Sequence, residues 1–299
     1  MNTNLKSKTF FDGKLYREGL RQLRLSGGIV GAIIFAISIL FPIVAMVIYR
    51  SNMGVPPRPV SLVETAPMLI LFMYLGPIVF TMVLFGFLNK RSGSDFYGSL
   101  PNTRTSIFVS FFASVATYLI GIIVITVLAT SLLWMISPLF FNLQNIPYVL
   151  GTYVCGTLLM AGACVIALSV SGTAFTNLSL IVLIAFLPRL IITVFIGTVQ
   201  GATGIMPAEA FGILRPDYNI PFGLFASSLP QLGRGTEAMF SSLGSMGYSV
   251  GLAILYLVIA AFLFKKRRSE AAEKSTVHPI LQHIVRCAIS CLLYTSPLS

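Results

Sequence analysis

The chain has 299 residues, 56% of them hydrophobic and 10% charged, with a mean hydropathy of +0.89. Ordinary soluble domains carry about 25% charged residues, so this composition excludes a soluble protein and points to a polytopic membrane protein. The formal charge of +11 would suit nucleic acid, but the charges lie mostly beside apolar runs. That placement points to an anionic membrane surface and argues against nucleic acid.

Residues 1–26 are mostly polar and do not form a signal peptide. Lys6, Lys8, Lys14, Arg17, Arg21 and Arg24 stand there against Asp12 and Glu18. Phe11, Leu15 and Tyr16 share a helical face that Leu20 and Leu23 extend. The pattern predicts an amphipathic helix lying along the inner membrane surface; a disordered basic tail is the alternative. Span 1 is expected at about 27–49, followed by a Pro-rich loop, and span 2 at about 66–88.

A polar bridge, 87–108, joins span 2 to span 3 and carries Lys90, Arg91 and Arg104 against Asp95. Ser92 or Ser94 can cap a short helix through Asp95, Phe96 and Tyr97, and Pro101 keeps it from running into span 3. Phe96, Tyr97 and Leu100 fall at near-helical spacing, so one face could be apolar. Either this face docks a partner, or the bridge is an interfacial turn with its aromatics among headgroups.

Span 3, about 107–136, is expected to be capped by Asn102 or Thr103. In span 4, about 148–170, Ala163 and Ala167 begin a four-residue recurrence that Ser171 continues. That narrow face either admits a close helix or is simply tolerated in lipid. Span 5, about 178–198, holds Pro188 and Arg189 near its centre. Pro188 breaks the helix ladder and frees a carbonyl near Ile184. Arg189 is the one ionisable group deep in spans 1–6. It either lines a polar cavity that meets an anionic substrate or lipid head, or snorkels and holds the kink.

The loop 199–245 contains four prolines and apolar pieces such as FGILRP and IPFGLFASSLP, which predict a folded cap or short re-entrant helices. Span 6, about 246–264, ends on Lys265, Lys266, Arg267 and Arg268. With both ends inside, fourteen basic residues lie inside and four (Arg50, Arg58, Arg215 and Arg234) outside. Six spans with a cytoplasmic N-terminus and a cytoplasmic 265–274 segment is therefore the consistent topology. A further apolar run, 284–294, stops after half a membrane thickness. It reads as a surface-lying helix or a truncated seventh span, and truncation is favoured.

The chemistry is defined mainly by absences. There is no G-x-x-x-x-G-K-[ST], H-E-x-x-H or G-x-S-x-G, and all nine acids lie outside spans 1–6. Cys155 and Cys164 share one apolar run and Cys287 and Cys291 another, which argues against structural disulfides. His278 and His283 lack zinc spacing to any cysteine. No catalytic residue, metal site or bound cofactor is expected.

The segment FLNKRSGSDFYGSLPNTR, just after span 2, resembles the bridge of bacterial ABC-2-type transporter permeases. The matching positions are Leu88, Asn89, Arg91, Asp95, Phe96, Tyr97, Ser99, Leu100, Pro101 and Arg104, while Gly98 departs from the pattern. The resemblance implies an all-α permease in the bacterial cytoplasmic membrane. It further implies that 95–101 is a coupling helix docked on separate ATPase subunits, which would hold ATP and Mg, and that a second permease subunit, the same chain or another, pairs with this one. The 199–245 loop would then close the outer exit. Apolar spans without a charged ring favour an amphiphilic cargo. An ATP-independent carrier or channel, or a membrane scaffold or sensor, is the rival reading.

Overall fold

The computed structural model describes residues 10–51, 67–99, 102–136, 146–204, 218–228 and 243–267. Among these, all regular structure is helical. The elements are α1 (Gly13–Ser51), α2 (Pro67–Phe85), a 3-10 turn (Gly86–Asn89), α3 (Arg91–Ser99), α4 (Arg104–Ile136), α5 (Ile146–Val170), α6 (Ala174–Thr203), α7 (Ile220–Ser228) and α8 (Leu243–Lys266). Helices are what runs this apolar must form in lipid, where each backbone N–H and C=O needs a partner within the segment. The expected segments 1–9, 137–145 and 268–299, including the apolar run 284–294, lie outside the described residues.

Five helices, α1, α2, α4, α5 and α8, are long and apolar enough to cross a bilayer. The two parts of α6, Ala174–Phe186 and Pro188–Thr203, are bent by 43° and make a sixth crossing if counted as one. The chain thus has the architecture of a multi-pass membrane protein.

α5 is the centre of the bundle. Of its most apolar window 83% is buried, against 17% for α1 and 22% for α8. Small residues explain the difference, since they let neighbouring backbones close in. A Cβ on Gly162 would lie 3.1 Å from Cβ of Tyr256 on α8, and one on Gly156 would lie 2.5 Å from Sδ of Met73 on α2. Ala163 and Ala167 are fully buried in a cluster with Leu180, Ile181 and Ala185 of α6. The four-residue recurrence is therefore a helix contact and not a lipid face. Conversely, Ile29, Ile33, Leu40 and Val47 of α1 stay exposed on the outside of the bundle, where lipid would cover them.

The N-terminal segment departs from expectation. Its described part, 10–26, does not form a separate surface helix; α1 runs unbroken from Gly13 through the first span to Ser51. Its entry face is taken by α4 instead of headgroups. Cβ atoms on Gly19 and Gly27 would sit 2.5 Å from Ser114 Oγ and 2.6 Å from Tyr118 Cδ1, so these glycines let the two helices meet. Leu23 is completely buried there. Ser114 Oγ donates to Tyr16 O at 2.9 Å, and the Tyr118 hydroxyl donates to Leu20 O at 3.3 Å.

Asp12 fastens this junction. Its Oδ1 accepts the Lys14 N–H at 2.8 Å, its Oδ2 accepts Asn102 Nδ2 at 3.0 Å, and its own N–H donates to Ser110 Oγ at 2.9 Å. One carboxylate caps α1 and ties it to the start of α4, which Thr103 caps by accepting the Ser106 N–H at 3.2 Å. Asp12→Ala is expected to cost about 1–2 kcal/mol, the upper range for a lost N-cap, as read by thermal unfolding in detergent. Asp12→Asn should recover most of that, because its amide oxygen still caps.

Of the 199–245 stretch, residues 201–204 are exposed, while Asn219, Ile220, Phe222 and Leu224 are buried against the bundle. α6 runs to Thr203, where Gly204 closes it with φ +69 and an N–H donated to Gln200 O. Asn219 stands just before α7, and its Oδ1 accepts the Phe222 N–H at 3.2 Å. Ile220 and Leu224 bury themselves against Met73, and the Tyr74 hydroxyl donates to Pro221 O at 2.6 Å. The apolar piece IPFGLFASS thus forms a short helix packed onto α2.

Candidate functional site

The bridge folds as the 3-10 turn followed by α3. The helix starts earlier than the serines suggested: Lys90 precedes it, and its carbonyl accepts the Ser94 N–H at 3.0 Å, so Ser92 and Ser94 lie inside the helix and do not cap it. Among the described residues the helix covers 91–99; Leu100 and Pro101, the end of the expected 95–101 segment, lie outside them. Gly93 is needed where it stands, because a Cβ would meet Phe87 O at 3.1 Å and Phe87 Cα at 3.2 Å. α3 is thereby pressed onto the turn that ends span 2.

The two neighbouring aromatics of α3 have opposite settings. Tyr97 is half-buried, its ring 4.2 Å from Phe87 and 5.5 Å, edge-on, from Phe111 of α4. Its hydroxyl accepts Gln22 Nε2 of α1 at 3.2 Å. Phe96 is 61% exposed, and Asp95 is exposed beside it. Ser99 is exposed, with its Oγ donating to Phe96 O at 2.8 Å. One residue therefore fixes the helix to α1, the turn and α4, while the next presents a phenyl ring outward.

Two arginines gather the helix ends above α3. Arg267, just past α8, is 5% exposed. Its guanidinium donates to Leu168 O at the end of α5 and, at 2.7 Å, to Leu88 O in the 3-10 turn. Arg104, at the start of α4, donates in turn to Arg267 O and to Lys265 O at the end of α8. The last carbonyls of a helix have no intrahelical donor and carry partial negative charge, so cations suit them. Burial pushes the Arg267 pKa down to about 10, still far enough above neutral pH for the group to stay charged. A cleft of about 40 Å³ opens between Arg104, Arg267, Ser94 and Tyr97. It has room for about three waters, and none for a transported molecule.

Pro188 and Arg189 lie elsewhere, in the bent α6. Pro188 has no N–H to give to Ile184, and the Tyr256 hydroxyl of α8 takes that place, donating to Ile184 O at 3.1 Å. Arg189 is 2% exposed, with its guanidinium carbon 5.8 Å from the centre of the Tyr248 ring. The side chain is held inside the bundle against α8, so snorkelling to the membrane surface does not describe it. No described contact joins this pair to the bridge.

Sequence reasoning missed Arg267 and Tyr256 as individuals. Arg267 was one of four adjacent cations read only as an anchor, although it is the first residue past the helix, where last-turn carbonyls lie within reach. Tyr256 is a phenol inside an apolar run, and a buried hydroxyl in such a run needs an acceptor; that was the available signal. No family model, curated protein or solved structure matches this chain.

Proposed function

We propose that this chain is the membrane-spanning subunit of an ATP-driven transporter of the ABC-2 type, in the bacterial cytoplasmic membrane. In this reading α3 is the coupling helix, the N-terminus and the basic end face the cytoplasm, and a separate ATPase subunit carries ATP and Mg. A second permease subunit completes the pathway, and the cargo is an exported amphiphile. The chain itself performs no hydrolysis.

One observation carries the reading: Phe96 stands exposed on a short helix outside the spans, while adjacent Tyr97 is locked to α1 and α4. A partner gripping Phe96 would thus pull on two spans through one rigid aromatic contact. Coupling requires contacts that differ between two states of the partner, and a protruding ring offers such a contact. Phe96→Asp is the direct test, because it alters the exposed ring and leaves the Tyr97 packing intact. Co-purification with an ATP-binding subunit is expected to fall about 30-fold, the effect of losing an aromatic anchor worth about 2 kcal/mol. Undiminished co-purification from the variant refutes the docking role.

A further inference from the structure

The cleft beside α3 holds more cationic hydrogen-bonding capacity than the protein uses. Arg267 spends both terminal nitrogens on carbonyls, but its buried Nε has no partner among the described residues. Arg104 donates through one nitrogen only. The Tyr97 hydroxyl accepts from Gln22 and keeps its own proton to give. Ser94 supplies a further hydroxyl at the same space. No carboxylate among the described residues pairs with either arginine. The three helix ends they touch offset part of the charge, each by at most about half a unit. Counted over the described residues, the cleft is therefore net positive, partly desolvated and of a size for a small oxyanion.

Its position narrows the choice of anion. The cleft lies where the spans α2, α4 and α8 end, the depth at which lipid headgroups meet a membrane protein, and Phe87, Ile107 and Phe264 form apolar parts of its wall. We propose that it binds a phosphate-bearing anion, and that in the membrane the occupant is the headgroup phosphate of an anionic phospholipid. Arg104 and Arg267 supply the charge, and Ser94 and Tyr97 donate hydrogen bonds. Such a lipid would bridge α3, α4 and α8 at their shared end. The inference stands apart from the transporter reading, since it requires no ATPase.

The test uses the full chain alone, reconstituted in nanodiscs of equal phosphatidylglycerol and phosphatidylcholine, with retained lipid counted by native mass spectrometry after release. Phosphatidylglycerol is expected to be retained over phosphatidylcholine. Arg104→Gln should lower that retention about fivefold, from about 1 kcal/mol per basic residue at an anionic surface. Ser94→Asp should abolish it by placing a carboxylate in the cleft, without touching the bonds that hold α8. Arg91→Gln, the same loss of charge at a residue that does not line the cleft, should leave it unchanged. A parallel melt in neutral detergent adds inorganic phosphate at matched ionic strength. A rise in Tm for the natural chain but not for Ser94→Asp, without lipid retention, would keep the anion site and make soluble phosphate its occupant. Neither retention nor a Tm rise in the natural chain overturns the proposal. Equal losses in Arg91→Gln and Arg104→Gln with none in Ser94→Asp would overturn it too, since they would mark a diffuse basic surface.

Discussion

Arg267→Met is expected to destabilise the bundle by about 2–6 kcal/mol, read as the free energy of unfolding in mixed micelles. The guanidinium holds Leu168 O and Leu88 O, and each buried carbonyl left without a donor costs about 1–3 kcal/mol. An opposing effect has to be weighed. Exchanging buried charges for apolar side chains is often neutral or favourable, because it removes their desolvation cost. That relief applies when both partners are replaced together. Here the partners are backbone carbonyls, which no side-chain change removes, so the penalty for orphaning them prevails. Arg267→Lys should fall between, since a point-like ammonium cannot reproduce the planar fork that reaches two separate acceptors. Lys266→Met is the control for simple membrane anchoring. It removes the same charge, its ammonium contacts the Phe262 ring at 4.3 Å, and a loss below about 1 kcal/mol is expected. If Arg267→Met matches that control, the guanidinium contributes charge alone and does not fasten the helix ends.

The bend in α6 makes a second prediction with a built-in reference. Tyr256→Phe leaves Ile184 O without its donor and is expected to cost about 0.6–1.7 kcal/mol, from the average to the largest value for hydrogen bonds between membrane helices. In a Pro188→Ala background the same change should cost almost nothing. Alanine restores the N–H that reaches back to residue 184 and makes the tyrosine redundant. The coupling between the two substitutions should therefore equal nearly the whole cost of Tyr256→Phe, which a double-mutant cycle measures directly. Spin labels at Leu178 and Val194, exposed positions on either side of the 43° bend, should move apart in Pro188→Ala as the helix straightens. Additive costs would mean that Tyr256 and the proline act independently.

The long apolar runs predicted the helices well, because transfer into lipid depends on local composition and a backbone in lipid must satisfy itself locally. Thr103 as the cap of α4 was legible for the same reason, since its acceptor serves an N–H three residues away. The bridge was legible as a short helix but not in its register. Its start is set by Gly93 packing against Phe87, and this contact outweighs the capping preference of Ser92 and Ser94. The entry segment was misread where amphipathicity is ambiguous. A half-apolar helix face suits headgroups or another helix equally, and the choice depended on Gly19 and Gly27 meeting Ser114 and Tyr118, about 90 residues onward.

Local composition alone was enough to read this chain as a multi-pass membrane protein, to locate its long apolar runs, and to find a basic, aromatic bridge after the second of them. Which of its many cations are structural depends on how the helices come together. Arg267 reaches acceptors 99 and 179 residues away, and its neighbour Lys266 does not. Hydrophobic transfer is a sum over nearby residues and can be read along the chain. A hydrogen bond between the ends of separate helices depends on where those ends arrive, and the packing of small residues on α5 sets that.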